Sequence, residues 1–293
     1  MLTPAFHKNA LSEAITVVND KADTLIDIIE QESGGGDKAS KLDVHPLVTR
    51  CLQEIVFKTL LGKDLELQRD PGAEYCQNVI EMQRILHRRQ SSPVLSHDAI
   101  FKLTPWASRS EKISKDLKSF ALAIVTQRKK ELERDRESGS NERNFLDVLI
   151  GNGVDDAEIV DEINTFTSLG HMSTSSALSW TLLMLAKHPE VQQRAYEEQL
   201  RIFGEDYAEA KDAVTKGDLE RMRYLECCVK ETLRLYPVLP FFGRQLEEDL
   251  EIEGKTIPKR SDVVVFPYLL HRNPDVWSEP DEFNPCRFDN NNR

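Results

Sequence analysis

The run Lys230-Glu231-Thr232-Leu233-Arg234-Leu235-Tyr236-Pro237 sets a carboxylate and a guanidinium three residues apart inside an otherwise apolar segment. On a helix those two side chains share one face. Leu225, Val229, Leu233 and Tyr236 recur around them at helical spacing, which predicts that the pair is buried. A buried ion pair survives only where further hydrogen bonds complete it, so a distant part of the chain must cap this helix. Phe283-Asn284-Pro285-Cys286-Arg287-Phe288 brings a second guanidinium and is the candidate cap.

The rest of the pattern is helical until Pro237 and changes after it. Ile15, Val18, Ala22, Leu25 and Ile29, then Val48, Leu52, Ile55, Val56 and Leu60, keep helical period. Two polar breaks, Ser33 to Asp37 and Glu137 to Asn141, read as loops, and Gly34 to Gly36 lacks the Gly-Lys-Ser/Thr ending of a phosphate loop. A long helix is predicted from the acidic start Asp155-Asp156 through Ile159, Ile163, Phe166, Trp180, Leu183 and Leu185 to His188. At about 30 residues, or roughly 45 Å, it would cross a whole domain. Pro189 opens the next helix and Gly204 stops it. Leu250 to Ile252, Lys255 to Pro258 and Val263 to Phe266 read as short strands of one small sheet around a Gly turn. The tail Asp289 to Arg293 is polar.

Charge and cysteine usage exclude several functions. A formal charge of -12 opposes binding to nucleic acid, which requires a basic surface. The one basic run, Arg128-Lys129-Lys130, lies among Glu131, Glu133, Asp135 and Glu137 and reads as a solvated helix face. The five cysteines, Cys51, Cys76, Cys227, Cys228 and Cys286, form neither a disulfide framework nor a CxxC zinc pair and fit a reducing compartment. No run of about 18 apolar residues offers a membrane span, so the chain reads as soluble, without a membrane anchor.

At the middle of the long helix, Gly170-His171-Met172-Ser173-Thr174-Ser175-Ser176 places one Gly and four small hydroxyl residues in a helix interior. Gly there costs about 1 kcal/mol relative to Ala. Such a stretch either opens a groove for a small molecule, as hydroxyls bonding back to the preceding turn bend the helix, or lets another helix approach closely.

Glu231, Arg234 and Arg287 together resemble the Glu-x-x-Arg plus Phe-x-Pro-x-Arg-Phe triad of the cytochrome P-450 family, the haem-thiolate monooxygenases. Phe166 to Trp180, followed by His188-Pro189-Glu190-Val191-Gln192, is similar to the family's oxygen-binding helix, Gly-x-Asp/Glu-Thr-Thr/Ser. The wording is closest to the fatty-acid omega-hydroxylase branch. The resemblance implies a mainly α fold with a small β-sheet region, a truncated cytochrome P-450 fold with a long central helix, and a single incomplete domain over residues 1–293. It implies haem as cofactor, an NADPH-dependent reductase as electron donor and a lipophilic substrate. For the full-length family it implies the endoplasmic reticulum membrane.

Carried over by motif position, Gly170, Ser173 and Thr174 are the catalytic candidates. Met172 stands where the family has the acid of its acid–alcohol proton relay, which implies slow or uncoupled turnover. Leu169 stands where the omega-hydroxylase branch often has a Glu esterified to haem, so that link is excluded here. Arg244, in Pro240-Phe241-Phe242-Gly243-Arg244, takes the position of an Arg that binds a haem propionate, a role suited to a guanidinium. Asn164, Phe166, Leu169, Leu239 and Phe241 are the expected substrate pocket, each with a core-packing alternative. His171 and His271 read as structural, and Cys227 and Cys228 as small packing groups.

The family's iron ligand is a cysteine in a Phe-x-x-Gly-x-Arg-x-Cys-x-Gly loop. No such loop occurs in these 293 residues, and Cys286, inside the Arg287 motif, cannot replace it. Met1 to His7 is similar to an interior family segment that its membrane anchor, early sheet and Trp-x-x-x-Arg haem contacts precede. The expectation is therefore a monooxygenase by family that is inactive as this fragment, with a non-catalytic helical fragment or interaction module as the alternative. A hydrolase finds little support, since Ser173 lacks the Gly-x-Ser-x-Gly turn.

Overall fold

A computed structural model describes residues 8–34, 41–70, 73–138, 144–205 and 214–289. Of the two expected loops, Ser33, Glu137 and Ser138 are helical instead, while Gly35 to Asp37 and Gly139 to Asn141, like the segment Met1 to His7 and the tail from Asn290, lie outside the described residues. The chain is mainly helical with a small β region, and it divides into two compact units, residues 1–172 and 173–293.

The first unit holds α1 (Lys8–Ser33), α2 (Val44–Leu61), α3 (Glu74–Gln90), the short α4 (Asp98–Phe101), α5 (Pro105–Ser138), α6 (Phe145–Gly151) and the N-terminal half of α7 (Asp156–Lys187). Local signals set the helix ends. The Asp43 carboxylate accepts from His45 N to start α2, and Gly62, in the left-handed region at φ 67°, ends it by donating to Lys58 O. Asn144 and Asp147 form a reciprocal capping box at α6. Asp155 accepts from Ala157 N at the start of α7, as its acidic residues predict. The core joins Phe57 and Leu61 of α2, Tyr75 and Val79 of α3, Val125 of α5, Leu146 and Leu149 of α6, and Ile159 and Ile163 of α7. Phe57 meets Tyr75 edge-on, with ring centres 5.0 Å apart. In the basic run, Arg128 bonds both Asp147 oxygens, at 2.7 and 3.0 Å, and Lys129 pairs with Asp156.

The second unit holds the end of α7, α8 (Pro189–Phe203), the short α9 (Lys216–Leu219), α10 (Arg223–Leu235), β1 (Phe242–Gln245), β2 (Leu250–Ile252), β3 (Lys255–Ile257), β4 (Asp262–Val265), α11 (Pro267–Leu270) and a 3-10 turn (Pro285–Phe288). Pro189 and Gly204 bound α8 as the sequence predicts. Met184, Val191, Cys228, Leu235 and Phe283 form its core. The strands make two separate antiparallel ladders where one sheet was expected. Glu253 and Gly254 both have positive φ, so β2 folds straight back on β3 in a tight hairpin, while β4 pairs with β1, Phe242 opposite Val265.

Candidate functional site

The site is anchored on α10. Its buried face is Cys227, Cys228, Glu231, Thr232, Arg234 and Leu235, whereas Leu225, Val229, Leu233 and Tyr236, expected to surround the pair, are only half-buried. The charged pair itself points inward. Glu231 has no exposed surface, and Arg234 is 2 % exposed. Arg234 binds the carboxylate with two bonds, Nε to Oε2 at 2.7 Å and Nη2 to Oε1 at 2.8 Å. Its other donors reach three backbone carbonyls, His271 O at 2.7 Å, Pro280 O at 2.6 Å and Glu282 O at 3.0 Å. All five guanidinium hydrogens thus have acceptors, the condition under which a buried charge is tolerated.

Residues 284–287 close the clasp from the other side. Asn284 N donates to Glu231 Oε1 at 2.9 Å, and Arg287 Nε lies 3.3 Å from the same oxygen. That Arg287 nitrogen is off the line of a hydrogen bond, so its contact is ionic, while its Nη atoms donate to Ser278 Oγ and Glu279 O. His271 also reaches back, its Nδ1 lying 3.1 Å from Arg234 O. The sequence reading of His271 as structural and of Asn284 within the cap segment fits these contacts, whereas Pro280 and Glu282, which act through backbone carbonyls, carry no side-chain signature and were missed.

Arg244 stands on β1, where all four residues are exposed. Its guanidinium lies 5.6 Å from the Phe242 ring centre and donates to Gly243 O. Phe241 and Leu239, both mostly exposed, precede the strand, and Phe241 packs on Phe266 with ring centres 5.7 Å apart. Leu269 and Leu270 on α11 are exposed as well. An apolar aromatic surface beside a guanidinium matches the chemistry of a flat, apolar porphyrin with carboxylate arms, so these residues fit haem. Ser173 and Thr174, also in this unit, are exposed on α7.

In the first unit, Gly170 is tight rather than open. A Cβ there would meet Val56 Cγ2 of α2 at 3.0 Å, so close helix packing explains this glycine. Phe166 packs on Phe145, ring centres 4.8 Å apart, against the core, whereas Leu169 and Met172 are exposed and Asn164 half-buried. His171 is fully enclosed between them in sequence. Its Nδ1 bonds Thr167 O, its Nε2 lies 3.4 Å from Gln53 Nε2, and Gln53 Oε1 accepts from the Cys76 thiol. Burial holds His171 below its ordinary pKa and pushes Cys76 up to about 11, so a neutral ring and a protonated thiol complete a consistent chain of donors. Among the described residues, no cluster of three or more His, Cys, Asp or Glu could hold a metal ion.

The family model Cytochrome P450 matches residues 1–293. The chain belongs to the cytochrome P450 family. Cytochrome P450 4c3 of Drosophila melanogaster is 35% identical over 309 residues, covering 98% of this chain and 56% of the relative. Cytochrome P450 4c21 of Blattella germanica is 33% identical, with coverage of 98% and 59%. Cytochrome P450 4V2 of Homo sapiens is 31% identical, with coverage of 98% and 56%. The chain thus spans a little over half the length of the curated relatives it matches. Iron protoporphyrin is the cofactor of the cytochrome P450 family. Among the described residues, no helix is long and apolar enough to cross a membrane.

Proposed function

We propose that these residues serve a haem-thiolate monooxygenase that inserts one oxygen atom into a C–H bond of a lipophilic substrate such as a fatty acid. Electrons come from an NADPH-dependent reductase, and the whole protein works at the endoplasmic reticulum membrane. The observation that carries this reading is Glu231, wholly buried and held by Arg234 and Arg287, in a chain that matches the family over its full length.

Haem, when bound, supplies the activation of dioxygen. The protein's part falls to named side chains. Arg244 pairs with a propionate, and Leu239 and Phe241 give the apolar wall against which a hydrocarbon chain loses water. Ser173 keeps a hydroxyl able to donate a hydrogen bond, with Thr174 beside it, but Met172 has no proton to relay from solvent. Leu169 leaves the cofactor without an ester link. Phe166 packs into the core of the first unit, and Gly170 sets how closely α7 and α2 pack.

The absence of a Phe-x-x-Gly-x-Arg-x-Cys-x-Gly loop from these 293 residues, together with Met172, favours a second reading in which this stretch alone is non-catalytic. Both readings are tested by placing residues 1–293 inside the Drosophila relative in place of its matching segment. In that chimera Arg244→Gln is expected to speed haem loss to apomyoglobin roughly 10- to 100-fold, the equivalent of about 1.5–3 kcal/mol for a charged hydrogen bond. An unchanged rate of loss removes Arg244 from the cofactor site.

A further inference from the structure

α8, α10 and the 3-10 turn border a groove of about 390 Å³ whose walls carry two thiols, Cys227 and Cys286, beside Arg194 and Tyr224. Neither thiol takes part in the Glu231 clasp. Arg194 Nη1 lies 3.4 Å from Cys286 Sγ, and the same guanidinium stacks 4.2 Å over the Tyr224 ring, which fixes its position. A cation held against a partly exposed sulfur is the setting in which a thiol acts as a nucleophile. Burial, then the Asp289 carboxylate, raise the pKa of Cys227 and keep it protonated. Three carboxylates, Glu197, Glu198 and Asp289, and three guanidiniums, Arg194, Arg201 and Arg223, line the groove, so its charges balance and favour neither an anionic nor a cationic reagent. Glu198 is engaged already, accepting from Tyr224 N and Leu225 N at the start of α10. A small neutral oxidant is therefore the reagent that suits this groove.

We infer that the groove is a peroxide-responsive thiol pair, in which Cys286 takes the oxidant and Cys227 closes a reversible disulfide between α10 and the 3-10 turn. The Cys286 sulfur attacks one oxygen of hydrogen peroxide, the O–O bond breaks, and sulfenic acid and one water form. The Cys227 sulfur then attacks the sulfenic sulfur. The S–S bond forms, the S–OH bond breaks, and hydroxide leaves with the Cys227 proton as a second water. Two thiols lose two electrons and one peroxide gains them. Glu231 is one helical turn beyond Cys227 and Arg287 is next to Cys286, so the bond tethers the two sides of the clasp.

The test is peptide mapping by tandem mass spectrometry of the reduced 293-residue chain after one equivalent of hydrogen peroxide. The expected product joins the tryptic peptide 224–230 through Cys227 to the peptide 273–287 through Cys286, and dithiothreitol reverses it. Cys228→Ser is expected to keep the cross-link, Cys227→Ser to leave a dimedone-trappable sulfenic acid on Cys286, and Arg194→Gln to slow oxidation several-fold. Circular dichroism confirms that each variant is folded, and mapping of the unsubstituted chain decides the matter without them. A bond through Cys228, or oxidation of Cys286 no faster than of buried Cys51 and Cys76, overturns the inference.

Discussion

Glu231 makes its contacts with two guanidiniums and one backbone amide in a place water does not reach, so the cost of altering it is electrostatic rather than steric. Glu231→Gln keeps the shape but leaves Arg234 and Arg287 facing a neutral amide. Removing one partner of a buried pair costs about 3–5 kcal/mol. Urea unfolding should register that loss, and a change below about 1 kcal/mol would mean the pair is a bystander. His171 gives a pH signature. Its pKa in the folded chain lies below the ordinary 6.5, so the unfolded chain takes up the proton first. The stability it contributes is fully present above about pH 6.5 and is lost as pH falls below it, by at most about 1.4 kcal/mol per pH unit. The urea midpoint should therefore drop between pH 7.5 and 5.5 by more in the parent chain than in His171→Gln. Equal drops would place the titration elsewhere. At this scale, spacing alone put Glu231 and Arg234 on one helix face, because three residues is a local geometric fact. Arg287, 56 residues from Glu231 by number (287 − 231), came through its motif. The carbonyls of His271, Pro280 and Glu282 stayed invisible, since every residue has one.

Among the elements, α7 follows its sequence signals most closely, from the Asp155 cap to Lys187 before His188-Pro189. Gly170 and the hydroxyl run do not interrupt it. Of the two readings the small residues allowed, the structure supports close packing at Gly170, against Val56 of α2. Gly170→Ala gains about 1 kcal/mol in helix propensity but must push Val56, while Gly170→Leu cannot be fitted without moving α2 and should cost about 1–3 kcal/mol. Val56→Ala should relieve much of the Gly170→Leu penalty. In a double-mutant cycle read by thermal unfolding, simple additivity would mean that the two residues do not touch. The positions of β2, β3 and β4 were legible in the sequence and the β2–β3 hairpin from Gly254, whereas β1 was missed. The pairing of β1 with β4 was not legible, because alternation marks a strand without naming its neighbour. Phe242 to Gln245 shows little of that alternation and is exposed throughout, so its strand character rests on β4.

For the whole molecule, the family is established by the full-length match, and the activity proposed for it depends on bringing the α7 hydroxyls, the Arg244 strand and a cysteine thiolate to one haem. The most direct test is the reduced carbon monoxide spectrum of two haemin-loaded proteins, the 293-residue chain and its chimera within the Drosophila relative. The chimera should show the red-shifted Soret band of a thiolate-ligated haem, and the 293-residue chain should not. A folded chimera that holds haem without that band, or the band in the 293-residue chain itself, would contradict the account.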